Sequence, residues 1–500
     1  MNTSGTTARG IPGPRSLDRR QFLGASGASA LAVALASCTG GGQSSQEETS
    51  GGGDGRIQWW DQFRPLTQML ETELFEPYMA ANEGVTIERR ELAAADLGQA
   101  LQVARRSNQL PDVHSLAGLD SAPAALVSEG WFQPISEFAD FDASPVADQI
   151  FDGLHRFEGN VYSVPLFSAR QHATIPWYNA ELLEQAGVDP ADEPVTWDDL
   201  RTIARQVKDN TDAHGIFLPA QNPNYLSAIV IQLAMAAGAP GEIDWRTGEY
   251  VQDSAPFVEA VEFLLSLQQD ELVHPSSPAM IPRDAMARWA AGEGAIYPWG
   301  PWFIGDLASE SPDVVERGLG CWSIPRPDSE LRSVRSGPAG GVFWVSTDSA
   351  QPEVAADLLL QMTQEEFQSA LATAMDQPPA LLEVVETADV HPAYRDMVAR
   401  FAEDVRIAPS PEIGHPEAWR VLAEMRPVEP GIGTMMQSAL SGDDIDVAAE
   451  LRTYREAMSA ERERALEAVQ GEGAEVDLDA WVFGNWDPES DYAIADYDAR

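Results

Sequence analysis

Lysine is almost missing from this chain. Lys208 stands alone, and every other basic residue is an arginine. Cysteine is nearly as scarce, with only Cys38 and Cys321, so no dense disulfide framework holds the fold. The seven histidines (114, 155, 172, 214, 274, 391 and 415) never fall at H-E-x-x-H or another zinc spacing, which argues against a metal centre. The nucleophile elbow G-x-S-x-G, the Walker A loop and a strand-linked G-x-G-x-x-G are also absent, and no cofactor is expected. Positive charge is low: 32 basic residues face 79 acidic ones, a formal charge of −47. Such a chain repels phosphate backbones, which removes nucleic acid as a partner. Internal repeats and coiled-coil heptads are lacking too. An apolar run over 25–36 is too short to span a bilayer, where about 20 apolar residues are wanted.

What is present begins with an address. Arg19-Arg20-Gln21-Phe22-Leu23 is a twin-arginine pair that leads into the apolar run, which ends in Leu35-Ala36-Ser37-Cys38. This resembles a lipobox, in which the cysteine is acylated and becomes the mature N-terminus. Residues 1–37 then read as a lipoprotein signal peptide, and 38–55, rich in Gly, Ser, Gln and Glu, as a flexible tether. The protein is expected to be exported and lipid-anchored through Cys38 to the outer face of the cytoplasmic membrane. Cys321 is then left without a partner, in a strand-like run where an inert core thiol is the expectation. Acid excess with lysine depletion suits a protein kept soluble at high salt. At 500 residues and 44% apolar content the chain can build two to four domains of roughly 150 residues.

Periodicity organises the remainder. Arg56-Ile57-Gln58-Trp59-Trp60 predicts a first strand, followed by Leu66, Met69, Leu70, Leu74 and Phe75 at helical spacing. Strands over 85–89 and 112–116 bracket a helix over 92–106. A second series opens with a strand over 174–178 and a short helix over 180–186 closed by Gly187. A helix over 196–207 then begins with a capping box, Thr196 and Asp199. Further strands are expected over 214–218, 295–299, 318–324 and 342–345, and helices over 225–237, 256–269 and 353–362. Alternation of this kind predicts α/β architecture, with largely parallel sheets covered by helices that bind ligands at strand carboxyl ends. Residues 448–469 read as a single surface helix. Residues 471–500 are strongly acidic with aromatics interspersed, the pattern of a solvated extension that packs a few rings on the body.

Fourteen tryptophans is a high count, and several lie at strand ends or in glycine- and proline-rich loops. The clearest are Trp59-Trp60, Trp177-Tyr178, Trp299-Gly300-Pro301-Trp302 and Phe343-Trp344. A sugar presents an apolar ring face and a belt of hydroxyls, so its site needs flat aromatic planes and bidentate polar partners in a concavity. Candidate polar partners are Asp61, Asp120, Arg170, His172 and Asn222. Core packing is the ordinary role of any one tryptophan, and the Trp299/Trp302 pair is the strongest exception. Acidic pairs such as Asp443-Asp444 carry no glycosidase signal in so acidic a chain.

These stretches together resemble the sugar-binding class of extracellular solute-binding proteins, the family of maltose-binding protein. Pro111-Asp112-Val113 followed by Glu129-Gly130-Trp131-Phe132-Gln133-Pro134 is similar to one family segment, and Gly159-Asn160-Val161-Tyr162-Ser163-Val164-Pro165 to another. Tyr178-Asn179, Ala186-Gly187 and Thr196-Trp197-Asp198-Asp199-Leu200 carry the most specific match. Gly300-Pro301-Trp302, and Gly340-Gly341 ahead of Phe343-Trp344, complete it. The resemblance implies a two-lobe, type II periplasmic-binding-protein-like fold, each lobe a mainly parallel sheet flanked by helices, with a ligand cleft between lobes. It places a first lobe at 56–166 plus 340–376, a second at 167–339 plus 377–470, and the acidic extension at 471–500. It assigns sugar stacking to Trp302 and cleft-lining roles to Trp60 and Asp61, and makes Asp120 the nearest match to a hydroxyl-binding carboxylate. His172 stands where the family has an acidic ligand. The implied ligand set is completed by Trp299, Gly341, Phe343 and Trp344.

The function implied is that of the binding component of an ABC importer: a monomer that closes over a sugar or oligosaccharide and presents it to permease subunits, without catalysis. The rival reading is a secreted polysaccharide hydrolase, which also displays tryptophans and acids. Within the binding class, a polyamine, glycerol phosphate or peptide ligand stays open.

Overall fold

The structure, a computed structural model, describes residues 55–500 except Asp120 and Leu331, and except the side chains of Ala94 and Ala95. The signal segment, Cys38 and Asp120 therefore lie outside the described residues. Among the described residues no helix is long and apolar enough to cross a membrane.

The first strand, Arg56–Asp61, alternates exposed and buried residues and pairs in parallel with Thr86–Glu91 on one side and Val113–His114 on the other. A late strand, Trp344–Val345, adds to the edge antiparallel to Val113–His114. Of the run expected over 112–116, Val113–His114 forms the strand, and the Ser115 N–H closes the ladder on the Trp60 carbonyl. A core of Ile57, Trp59, Leu70, Phe75, Phe343, Val345, Leu358 and Leu371 lies against this sheet.

A second four-stranded sheet has the order Leu319–Cys321, Ile175–Asn179, Gly294–Trp299, His214–Ile216. Its larger core includes Trp177, Phe217, Leu226, Val261, Trp289, Tyr297 and Trp322. The helix Trp197–Asn210 opens on the expected capping box, with Thr196 Oγ1 accepting the Asp199 N–H and the Asp199 carboxylate accepting the Thr196 N–H. Hydrogen bonding to Thr196 holds the Asp199 carboxyl below its usual range.

The expectation of a mainly parallel sheet does not hold in this second lobe. Gly294–Trp299 is parallel to His214–Ile216, but it is antiparallel to Ile175–Asn179, which is itself antiparallel to Leu319–Cys321. The reason is where the chain enters. Core membership switches between Phe167 and Ile175, so Ile175–Asn179 starts at a crossing between the cores and runs away from the first lobe. Trp299 ends the central strand directly opposite Ile175. The turn after Trp299 therefore opens at the crossing, beside the first lobe. The chain crosses again between Val334 and Phe343, and once more after Leu371.

The long helix Val447–Gly471 is the expected surface helix: it buries one stripe, Leu451, Arg462, Ala465, Leu466 and Val469, and leaves its other residues exposed or half-buried. Residues 472–500 cover it, with Trp481, Phe483, Trp486 and Tyr492 buried in two small clusters.

Candidate functional site

Beside the crossing lies a cavity of about 590 Å³ whose walls come from both lobes. Arg64, Pro65, Thr67 and Gln68 form the first-lobe wall; Pro282, Arg283, Met286, Trp299, Asp306, Ser309 and Glu310 form the other.

The first wall is delivered by a buried ion pair. Asp61, the last residue of the first strand, is fully buried and holds Arg89 through both carboxylate oxygens, at 2.6 and 2.8 Å. The same carboxylate accepts the Phe63 N–H at 2.8 Å, while Arg89 donates to the Phe63 carbonyl and to Thr67 Oγ1, each at 2.8 Å. Both oxygens of Asp61 are thus engaged in shaping the turn that carries Arg64–Gln68, and Asp61 does not line the cavity.

The second wall is aromatic and charged. The Trp299 ring stacks on Tyr297 (centroids 5.6 Å, planes 10° apart) and meets Trp302 edge to face at 5.7 Å and 87°. Both tryptophans are only half-buried. The turn between them requires glycine, since a methyl at Gly300 would sit 2.4 Å from the Trp302 ring. Trp302 also stands at the N-terminus of the helix Phe303–Glu310, which projects Asp306 and Glu310 at successive turns. Burial, and then the nearby Glu310, push the Asp306 carboxyl up to about 6, with Arg283 and Arg64 opposing the shift. Arg283 pairs with Glu310 at 3.1 Å. At the next crossing, Asp376 is buried and raised to about 6 by desolvation, with a smaller upward push from Asp306. The wall so joins an apolar ring plane to paired donors and acceptors, the chemistry a polyhydroxylated ring requires.

Other residues singled out in the sequence go elsewhere. Trp60 is half-buried at the end of the first strand, with the Arg90 guanidinium 4.9 Å above its ring. Phe343 packs on Trp59 and Phe63, and Trp344 is fully buried against Phe132 and Phe157. Gly341 lies against Ser163 and accepts the Trp344 indole N–H at 3.3 Å. Asn222 caps the helix Pro223–Ala236 by accepting the Tyr225 N–H. His172 is buried edge-on to Phe401 at 4.8 Å, and burial drives its imidazole down to about 3, so it is neutral. Arg170 donates to the Val405 carbonyl at 2.8 Å and pairs with Asp491. Of the described candidates, Trp299 alone borders the cavity, with Trp302 touching it from behind. Arg64, Arg283, Asp306 and Glu310 were not singled out. A signal for two of them exists in the spacing 302, 306, 310, one helical face running on from the Gly-Pro-Trp turn.

A family model described as bacterial extracellular solute-binding protein matches residues 73–397. The chain belongs to that family. The chain is similar to an arabinooligosaccharide-binding protein of Halalkalibacterium halodurans, 24% identical over 221 residues. That match covers 43% of this chain and 47% of the relative, so the chain spans about half of that protein's length. The diacetylchitobiose binding protein DasA of Streptomyces coelicolor is 23% identical over 368 residues, covering 71% of this chain and 81% of its own. Among solved structures, the GacH receptor of Streptomyces glaucescens, determined unliganded and with acarbose, superposes with a TM-score of 0.61 at 19% identity, over 81% of this chain and 99% of that one. Lmo0181 of Listeria monocytogenes, solved with cycloalternan, gives 0.59 at 17% identity, over 83% and 99%. At these identities the solved structures establish the fold, which is the type II arrangement of periplasmic binding proteins.

Proposed function

We propose that this solute-binding protein captures a sugar or oligosaccharide in the cavity between its lobes and presents it to the permease subunits of an ABC importer. The observation that carries the reading is the two-sided wall: Arg64–Gln68 from one lobe faces Trp299, Arg283, Asp306 and Glu310 from the other. A ligand that touches both walls binds the closed arrangement more tightly than the open one, and that difference is the signal a transporter reads. The names of the relatives, which include arabinooligosaccharide and diacetylchitobiose binders, support an oligosaccharide over a small ion. The protein acts without catalysis, as an exported monomer tethered through acylated Cys38.

The test is a thermal-shift and tryptophan-fluorescence screen over arabinooligosaccharides, diacetylchitobiose, acarbose and maltooligosaccharides, with the sugars recovered afterwards. A melting shift and a fluorescence change with intact sugar support the reading. Shortened sugar would establish the hydrolase instead, and response only to spermidine, glycerol phosphate or peptides would move the ligand out of the carbohydrates.

A further inference from the structure

The residues beyond the long helix, 472–500, lie past the part of the chain that the family model matches. They are not a loose tail. One tripeptide, Glu489-Ser490-Asp491, joins three segments at the crossings. Asp491 pairs with Arg170, which lies in the first crossing, and its other oxygen accepts the Ile407 N–H at 2.9 Å. Arg170 in turn donates to the Val405 carbonyl, and the Tyr492 N–H to the Ile407 carbonyl at 2.8 Å. Val405–Ile407 pairs in parallel with Val334–Ser336, from which the chain leaves for the first lobe. Glu489 holds that partner strand, accepting the Ser333 N–H at 3.1 Å and pairing with Arg335 at 3.3 Å, while its carbonyl accepts from Arg406.

The same segment grips the part of the second lobe that touches the first. Tyr497 accepts the Ser410 N–H through its hydroxyl oxygen at 2.8 Å, and Arg500 donates to the Gly414 carbonyl at 3.2 Å. Glu417 accepts the Glu475 N–H at 2.6 Å, and Ala418 and Val421 are buried with Trp481. The helix Ala418–Glu424 meets the first-lobe helix Pro123–Ser128, and Gly153 lies so close to the Glu412 carbonyl that no side chain fits there.

We propose that residues 472–500 are a strap that sets the angle between the lobes, with Asp491 and Glu489 as positioning residues for closure of the cleft. A segment that only added stability could dock anywhere on the second lobe. This one bonds to both places where the lobes are connected, the crossings and the touching rim, so its ion pairs bias one lobe arrangement over another. The inference rests on the cleft being the capture site proposed above.

The test needs no ligand. Nitroxide labels at Val103→Cys and Val195→Cys, exposed positions on the first and second lobes, report the interlobe distance by pulsed electron resonance. A Cys38→Ser background removes the anchoring cysteine, so that buried Cys321 is the one native cysteine left. Asp491→Asn and Arg170→Gln, which attack one ion pair from its two ends, are expected to raise a second, longer-distance population by about two- to fivefold, the shift a half-exposed pair supports. Asp477→Asn, whose carboxylate caps the Leu478–Trp481 turn within the strap, is expected to leave the distribution unchanged. High sodium chloride applied to the unsubstituted chain screens the same pair and is expected to reproduce the shift without any substitution. Distributions that match the parent for both variants and at both salt levels overturn the strap, even if melting temperatures fall. Failure to bind any sugar would count against the carbohydrate reading and would not move these distances.

Discussion

Two aromatic pairs sit beside glycines at strand ends, Trp299/Trp302 and Phe343/Trp344, and only the first puts a ring, that of Trp299, on the cleft. Phe343 and Trp344 are consecutive, so they face opposite sides of the first sheet. Each side is covered, Phe343 by Trp59 and Phe63, Trp344 by Phe132 and Phe157. Trp299 is the last paired residue of its strand, and past it the chain turns out of the sheet at Gly300-Pro301. The Trp299 ring packs on Tyr297 and Tyr225 yet stays partly exposed. An aromatic at a strand end is therefore a ligand candidate only where its neighbours leave part of the ring open.

That contrast can be broken by experiment. The largest effect belongs to Trp344→Ala, which empties a fully buried indole site and is expected to cost about 3–5 kcal/mol in urea unfolding. Next is Asp61→Asn, which leaves Arg89 buried without its counter-charge; about 3 kcal/mol is expected, with sugar binding weakened because the Arg64–Gln68 turn loosens. A change of opposite sign comes from Asp376. Its carboxyl is raised from 3.8 to about 6, so the native state holds the proton more tightly than the unfolded chain does. The stability linked to this group is complete below about pH 4 and lost as pH rises through 6. Asp376→Asn should accordingly add about 2 kcal/mol at pH 7.5 and nothing at pH 4, measured as paired unfolding curves. The smallest effect on stability is expected from Trp299→Ala, about 1 kcal/mol, because its ring is already partly exposed. Its affinity for oligosaccharide should nonetheless drop by about tenfold or more in a fluorescence titration. If Trp344→Ala lost affinity at unchanged stability, the assignment of the two pairs would be reversed.

Much of the fold was legible because its signals are local. The Thr196/Asp199 capping box, the Arg56–Asp61 strand and the helix Ala255–Gln269 follow from patterns spanning a few residues. The site was harder to read, since partners are assigned across the chain. Asp61 looked like a cleft acid until Arg89, 28 residues on, took both its oxygens. Arg170 and His172 looked like ligand contacts until Asp491 claimed one and Phe401 buried the other. Arg64 carried no motif at all and became part of a wall only when the second lobe was set opposite it.

From its order of residues alone, this protein was determined to be an α/β chain with aromatic turns at strand ends and no catalytic motif, because strand alternation, helix spacing and caps act between near neighbours. Tertiary structure alone decided the mixed pairing of the second sheet, which acids are spent on arginines, which tryptophan stays open to the cleft, and that the acidic C-terminal segment grips the crossings. Those outcomes depend on which groups tens or hundreds of residues apart meet once the cores close, and burial of a charge or a ring is set by that meeting.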